Sequence, residues 1–139
     1  MKKIVFFITL LFSNLVYAGG DSIQIKIISY NKEQKILIFQ PLPTPNLNLF
    51  SEAKKVTFLL NYECHSSVYS CLTRKRTFNK NQYHEALKYL SKIAIPGNII
   101  ELGIMGSGFY KHKSQANTYI TSGLFISHGT IFVYENPFL

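Results

Sequence analysis

The chain has no tryptophan, two cysteines, a single aspartate and two arginines in 139 residues. Each shortage excludes something. Acid–base pairs and hard-metal sites are built from carboxylates, and Asp and Glu together number only 7. His65, His84, His112 and His128 are scattered, without the His-x-x-x-His or His-Glu-x-x-His spacing of a helical zinc site. No Gly-x-Ser-x-Gly elbow is present. Glu63 beside Cys64-His65 is suggestive, but a Cys–His nucleophile needs a free thiolate. The glycines at 103, 106 and 108 lack the Gly-Lys-Ser/Thr ending and the following helix of a phosphate loop. The sequence therefore predicts a protein with no enzymatic activity, no metal and no cofactor. Past residue 18, no segment is apolar for the ~20 residues that a membrane-spanning helix needs.

What is present starts at the N-terminus. Lys2 and Lys3 precede an almost wholly apolar run from Ile4 to Val16, and Val16-Tyr17-Ala18 ends in a small residue. A charged start, a short apolar stretch and a small-residue cut site form a secretory signal peptide. The alternative, a retained anchor, is disfavoured by the length of the run. Residues 1–18 are thus expected to be a signal and residues 19–139 a single exported β-rich domain, periplasmic or secreted. No stable membrane span is expected after cleavage.

Lys and Arg number 15 against the 7 acids, a net charge of +8. Removing Lys2 and Lys3 leaves the balance positive. Positive charge favours anionic lipid headgroups, nucleic acid, sialylated glycans or an acidic protein, and export argues against nucleic acid. Solubility alone is the plain alternative. In an exported chain the paired count of Cys64 and Cys71 reads as a disulfide. Six residues lie between them, and a short loop of that kind gains roughly 2–3 kcal/mol in the chain-entropy model. A metal pair fits less well, with no Cys-x-x-Cys spacing and only His65 alongside.

Ile23, Ile25 and Ile27 alternate with Gln24 and Lys26, the period of a half-buried strand over Ile23–Ser29. Lys35–Gln40 is a second strand and completes a hairpin. Pro41, Pro43 and Pro45 make the next segment a stiff connector, or else a recognition strip. Lys55–Tyr62 reads as a third strand and Val68–Thr73 as a fourth. Asn79 is a good N-cap, with Gln82 three places on and a Phe78–Tyr83 staple. Tyr83, Ala86, Leu87, Leu90, Ile93 and Ala94 then form one helical stripe, with His84, Glu85, Lys88, Ser91 and Lys92 on the wet side. Pro96-Gly97 stops the helix. Asn98–Met105 is a strand, Phe109–Thr121 a polar loop, and Leu124–Ser127 with Thr130–Tyr134 a hairpin turning at His128-Gly129. One helix cannot cover both faces of a large sheet. The expected fold is mainly β with one α-helix: a small antiparallel barrel or strongly curved sheet, OB-like, with the helix plugging one end. An open sheet with the helix across one face is the competitor.

Two places could bind a ligand. Arg74 and Arg76 flank Lys75 and would share a strand face, where their forks could grip carboxylates. A solvated strand edge is the plainer reading. The second runs from Tyr110 to Tyr119, with Lys111, His112, Lys113, Ser114, Gln115 and Asn117 between. Aromatic faces stack sugar rings while amides and hydroxyls pair with their hydroxyl groups. An ordinary polar loop is the alternative.

In element order, the run Cys64–Cys71, then Tyr83-His84-Glu85-Ala86-Leu87-Lys88-Tyr89-Leu90, then Gly97-Asn98-Ile99-Ile100-Glu101-Leu102 resembles the receptor-binding B subunits of bacterial pentameric toxins. It covers roughly a third of the chain. The N-terminal hairpin and the proline connector depart from that pattern, and no sugar-site residue carries over. The resemblance implies an OB barrel assembled into a homo-oligomeric ring with glycan binding at a rim. The sequence thus points to an exported, non-enzymatic binding module for a glycan or an acidic protein surface, with Arg74, Arg76, Tyr110, His112, Asn117 and Tyr119 as candidate contacts. The competing reading is a periplasmic inhibitor or immunity protein that neutralises a secreted toxin.

Overall fold

The computed structural model describes residues 20–43, 50, 53–61, 65–69, 80–105, 109–121 and 123–134. The expected signal, the Cys64–Cys71 pair, the Arg74–Arg76 cluster and the Asn79 cap lie outside them. Among the described residues stand eight strands and one helix: β1 (Gly20–Asn31), β2 (Ile36–Pro41), β3 (Val56–Leu59), α1 (Lys80–Ile93), β4 (Ile99–Met105), β5 (Phe109–Lys111), β6 (Thr118–Thr121), β7 (Gly123–Ser127) and β8 (Thr130–Tyr134). The strands form one sheet in the order β5-β6-β3-β2-β1-β4-β8-β7. The described residues are mainly β with one helix between the third and fourth of these strands, in the class that the alternation and the one amphipathic stripe predict.

The sheet curls into a half-barrel, and chain connectivity shows why it must. β6 is second in the sheet order and β7 is eighth, so flat strands at ~4.8 Å spacing would put them about 29 Å apart. A single residue joins Thr121 to Gly123, and two peptide units reach at most about 7.6 Å. β1 makes the second corner. Its first half pairs with β4 over Gly20–Lys26 and its second half with β2 over Ile25–Asn31. A bulge between Ile27 and Ser29 leaves Ile28 as the extra residue, which bends the strand. Five strand pairings are antiparallel; β3 with β6 and β4 with β8 are parallel.

The core fills the concave side. Ile23, Ile25, Ile27, Leu37, Phe39, Val56, Phe58, Leu102, Ile131 and Val133 face Tyr83, Ala86, Leu90 and Ala94 of the helix stripe. Phe39, Phe50, Phe58, Phe109 and Tyr119 form an aromatic nest, with neighbouring ring centroids 4.8 to 6.1 Å apart. Edge contacts of this kind add to simple burial. On the convex side Phe125 and Phe132 stack at 5.0 Å. The Phe132 ring lies flat over Gly103, where a Cβ would stand 2.2 Å from it. At the end of α1, Asn98 donates to the Ile95 carbonyl across Pro96 and Gly97. Gly97 has φ of 90°, the left-handed position that this turn requires.

The segment read as a polar loop, Phe109–Thr121, is instead a hairpin of β5 and β6. Its strands are short, and all four residues of β6 are buried. The aromatic nest covers one face. On the other face Tyr69, Tyr110 and Ile120 form a second small core with Leu59 and Val68. A strand covered on both sides shows no alternation. Of the strand expected at Val68–Thr73, the described part is a turn closed on the His65 carbonyl and a single bridge from Tyr69 to His112.

Candidate functional site

The surface proposed for sugar stacking, from Tyr110 to Tyr119, is assembled differently from its expected form. Tyr110 and Tyr119 are 7% and 9% exposed and sit on opposite faces of the hairpin. Neither ring is offered to solvent. Burial pushes the Tyr119 hydroxyl pKa up, as it does that of Tyr69. His112 is half-buried, its ring 5.1 Å from that of Tyr69. Its Nδ1 accepts the backbone N–H of Ser114 at 3.1 Å and of Gln115 at 2.9 Å. That places the proton of the neutral ring on Nε2. Lys113 donates its ammonium to the Ser66 carbonyl and its N–H to Val68 at 2.6 Å. Asn117, at φ of 53°, takes the left-handed turn position that asparagine tolerates, and its carbonyl accepts the Thr57 N–H at 2.8 Å. These groups tie the loop to itself, to the Ser66–Val68 turn and to the start of β3. Arg74 and Arg76 lie outside the described residues.

A different constellation forms where α1 passes the β1–β2 hairpin. A cleft of about 430 Å³ is lined by Tyr30, Lys32, Lys35, Leu87, Lys88, Ser91 and Lys92. Four of the seven are lysines and none is a carboxylate. Tyr30 and Leu87 pack against the core and form an apolar floor. The Tyr30 hydroxyl pKa is raised by burial, partly offset by a hydrogen bond with Ser91. Ser91 in turn donates to the Leu87 carbonyl at 2.9 Å.

Leu60 fixes the two walls relative to one another. Its N–H donates to the Lys35 carbonyl at 2.9 Å, and its own carbonyl accepts the buried Tyr83 hydroxyl at 2.6 Å. At the far side, Tyr89 reaches the Gly129 carbonyl at 3.2 Å. The helix is thereby pinned to both halves of the sheet, and the cleft lies between α1 and the turn end of the β1–β2 hairpin.

Local chemistry inside the cleft runs against stability. Lys88 and Lys92 are like charges one turn apart, a spacing that costs an isolated helix about 0.2–0.5 kcal/mol. Lys92 recovers some of this in the last turn, where the helix dipole favours a cation. Lys35 has φ of 57°, in the left-handed region where glycine or asparagine is at ease. The hairpin turn is otherwise well made: Asn31 Oδ1 accepts the Gln34 N–H at 2.9 Å. Among the described residues, Glu33 stands at the exposed turn and Glu85 lines a neighbouring groove with Asn81, His84 and Lys88.

Among the described residues no three His, Cys, Asp or Glu gather as a metal site. Ser127 Oγ lies 3.1 Å from His128 Nδ1 within an exposed hairpin turn. His65 and His84 are exposed. No described helix is long and apolar enough to cross a membrane. Compared with protein-family models, curated proteins and solved structures, the chain matches none.

Proposed function

We propose that this chain is an exported, non-enzymatic binding module whose partner is acidic and enters the lysine cleft between α1 and the β1–β2 hairpin. The observation that carries the reading is the lining: four lysines around an apolar floor, with no carboxylate among the described lining residues. Such a site holds a positive potential that attracts anions and is weakened by salt. Burial of Tyr110 and Tyr119 favours charge over ring stacking as the recognition chemistry.

Both functional forms suggested by the sequence fit this chemistry. An inhibitor of a secreted toxin would meet an acidic cleft, and a receptor-binding subunit would read an acidic glycan. The helix between β3 and β4 supports the element order of the toxin B subunits, for which a pentameric mass by light scattering is the expected result.

Titration calorimetry with polyglutamate and with a sialylated oligosaccharide tests the reading. The expected result is binding to at least one of them that weakens steeply with salt and is lost in the double variant Lys88→Glu, Lys92→Glu. Absence of binding to both at low salt overturns it.

A further inference from the structure

The end of the half-barrel that holds the lysine cleft also carries an apolar feature. β1 runs antiparallel to β2 and to β4; its close meets the start of β2, while β4 starts opposite Lys26, two residues before the β1 bulge at Ile28. The chain leaving α1 arrives at that bulge, where Gly97 donates to the Ile27 carbonyl and Ile27 donates to that of Asn98, each at 2.8 Å. Three large aliphatic side chains stand out there: Ile28 at 43%, Ile95 at 54% and Ile99 at 58% exposure. The backbone holds each of them outward. Ile28 is the extra residue of the β1 bulge. Ile95 opens the Pro96-Gly97 turn. Ile99 lies opposite Lys26 at the exposed start of β4. Exposed Lys26 stands opposite Ile99 and exposed Lys92 three residues before Ile95. Lys32 and Lys88 are exposed and Lys35 half-buried in the adjoining cleft. The described acids in this region are Glu33 and Glu101, the latter exposed two residues along β4 from Ile99.

We propose that this end of the molecule docks on an anionic lipid surface. The lysines meet the headgroups, and Ile28, Ile95 and Ile99 enter the boundary between headgroups and acyl chains. The inference rests on the reading of the cleft as an acidic-ligand site and names its ligand. The composition selects lipid over protein. Protein interfaces are anchored by tryptophan, tyrosine and arginine and are depleted in lysine. Among its described residues this end presents lysine and isoleucine, with no exposed aromatic side chain and no arginine. Lysines beside an apolar patch can run their stems along it and keep their charges at headgroup level, and each basic residue near an anionic leaflet adds to binding.

The test is co-sedimentation with vesicles of phosphatidylcholine alone and of phosphatidylcholine mixed with phosphatidylglycerol. The protein is purified after export and its N-terminus fixed by mass, so that the apolar leader takes no part. The expected result is binding to the mixed vesicles and none to the neutral ones. Lys88→Glu with Lys92→Glu lowers the partition coefficient by about tenfold or more, and Ile95→Ser with Ile99→Ser lowers it by about fivefold. Ile95→Ser with Ile99→Ser keeps the parent melting temperature, since both side chains are exposed. The lysine pair gives up the favourable dipole contact of Lys92, so its binding is measured well below its own melting temperature and compared with Lys88→Gln with Lys92→Gln, which is expected to lower binding in the same direction. Binding to polyglutamate without binding to mixed vesicles overturns the lipid inference, leaves the acidic-ligand reading standing and points to an acidic protein. Binding to neither overturns both. Vesicle binding that falls in the lysine variant but not in the isoleucine variant overturns the docking geometry.

Discussion

The lysine cleft and the loop between β5 and β6 are both basic, polar and at the surface, yet they are built on opposite plans. In the loop, His112 Nδ1 holds two backbone N–H groups, Lys113 holds the Ser66 carbonyl, and both flanking tyrosines are packed inside. The His112 and Lys113 side chains are used within the fold, tying the loop to itself and to the Ser66 carbonyl. In the cleft, four lysines face one another from two walls with no carboxylate among the described lining residues, two of them repel along one helix face and one sits at a left-handed φ. A region whose polar groups satisfy one another contributes to the fold. A region that gathers like charges at a local cost to stability is organised for something else.

The largest expected effect breaks the comparison by removing the element that makes the cleft. Leu90 is 1% exposed in the centre of the helix stripe. Leu90→Ala is expected to cost about 2–5 kcal/mol in urea unfolding and to abolish ligand binding with the fold. Next, His112→Ala removes the acceptor of two N–H groups. It should cost about 1 kcal/mol and speed hydrogen exchange at Ser114 and Gln115, with ligand affinity unchanged. An affinity loss there would return the loop to the site.

Lys35→Gly sharpens the contrast further, because its two readouts move in opposite directions. Glycine relieves the left-handed backbone and is expected to raise stability by about 0.5–1 kcal/mol, while affinity for the acidic ligand falls. A variant that gains stability and keeps full affinity would show that Lys35 takes no part.

The smallest effect is alkaline. Burial holds the pKa values of Tyr30, Tyr69 and Tyr119 above the ordinary 10.0. A raised folded-state pKa contributes stability that is whole below pH 10 and is lost as pH rises through the folded values. Absorbance titration should show these phenols ionising after the exposed ones, and melting temperature should hold from neutral pH to about 10 and fall beyond it.

The contrast also explains what was legible in the sequence. The Ile23–Ile27 alternation, the Tyr83–Ala94 stripe, the Pro96-Gly97 stop and the His128-Gly129 turn each carry a local signal, and each marks a real element. The β5–β6 hairpin carries none. Thr118-Tyr119-Ile120-Thr121 is buried on both faces and mixes hydroxyls with apolar groups, so no period appears. The cleft was hidden for another reason. Lys88 and Lys92 look like the wet face of a helix, and Lys32 and Lys35 like an ordinary polar turn. Only the path that sets α1 against the β1–β2 hairpin, through the two hydrogen bonds of Leu60, brings the four together.

Charge reversal at both regions in parallel tests the central claim most directly. Polyglutamate affinity is measured for Lys88→Glu with Lys92→Glu, and separately for Lys111→Glu with Lys113→Glu, each removing the same charge from the same protein. The account predicts that the first pair loses about tenfold or more, while the second loses only the small long-range share expected of a distant charge. The reverse pattern, with the cleft variant unchanged and the loop variant weakened, would contradict it.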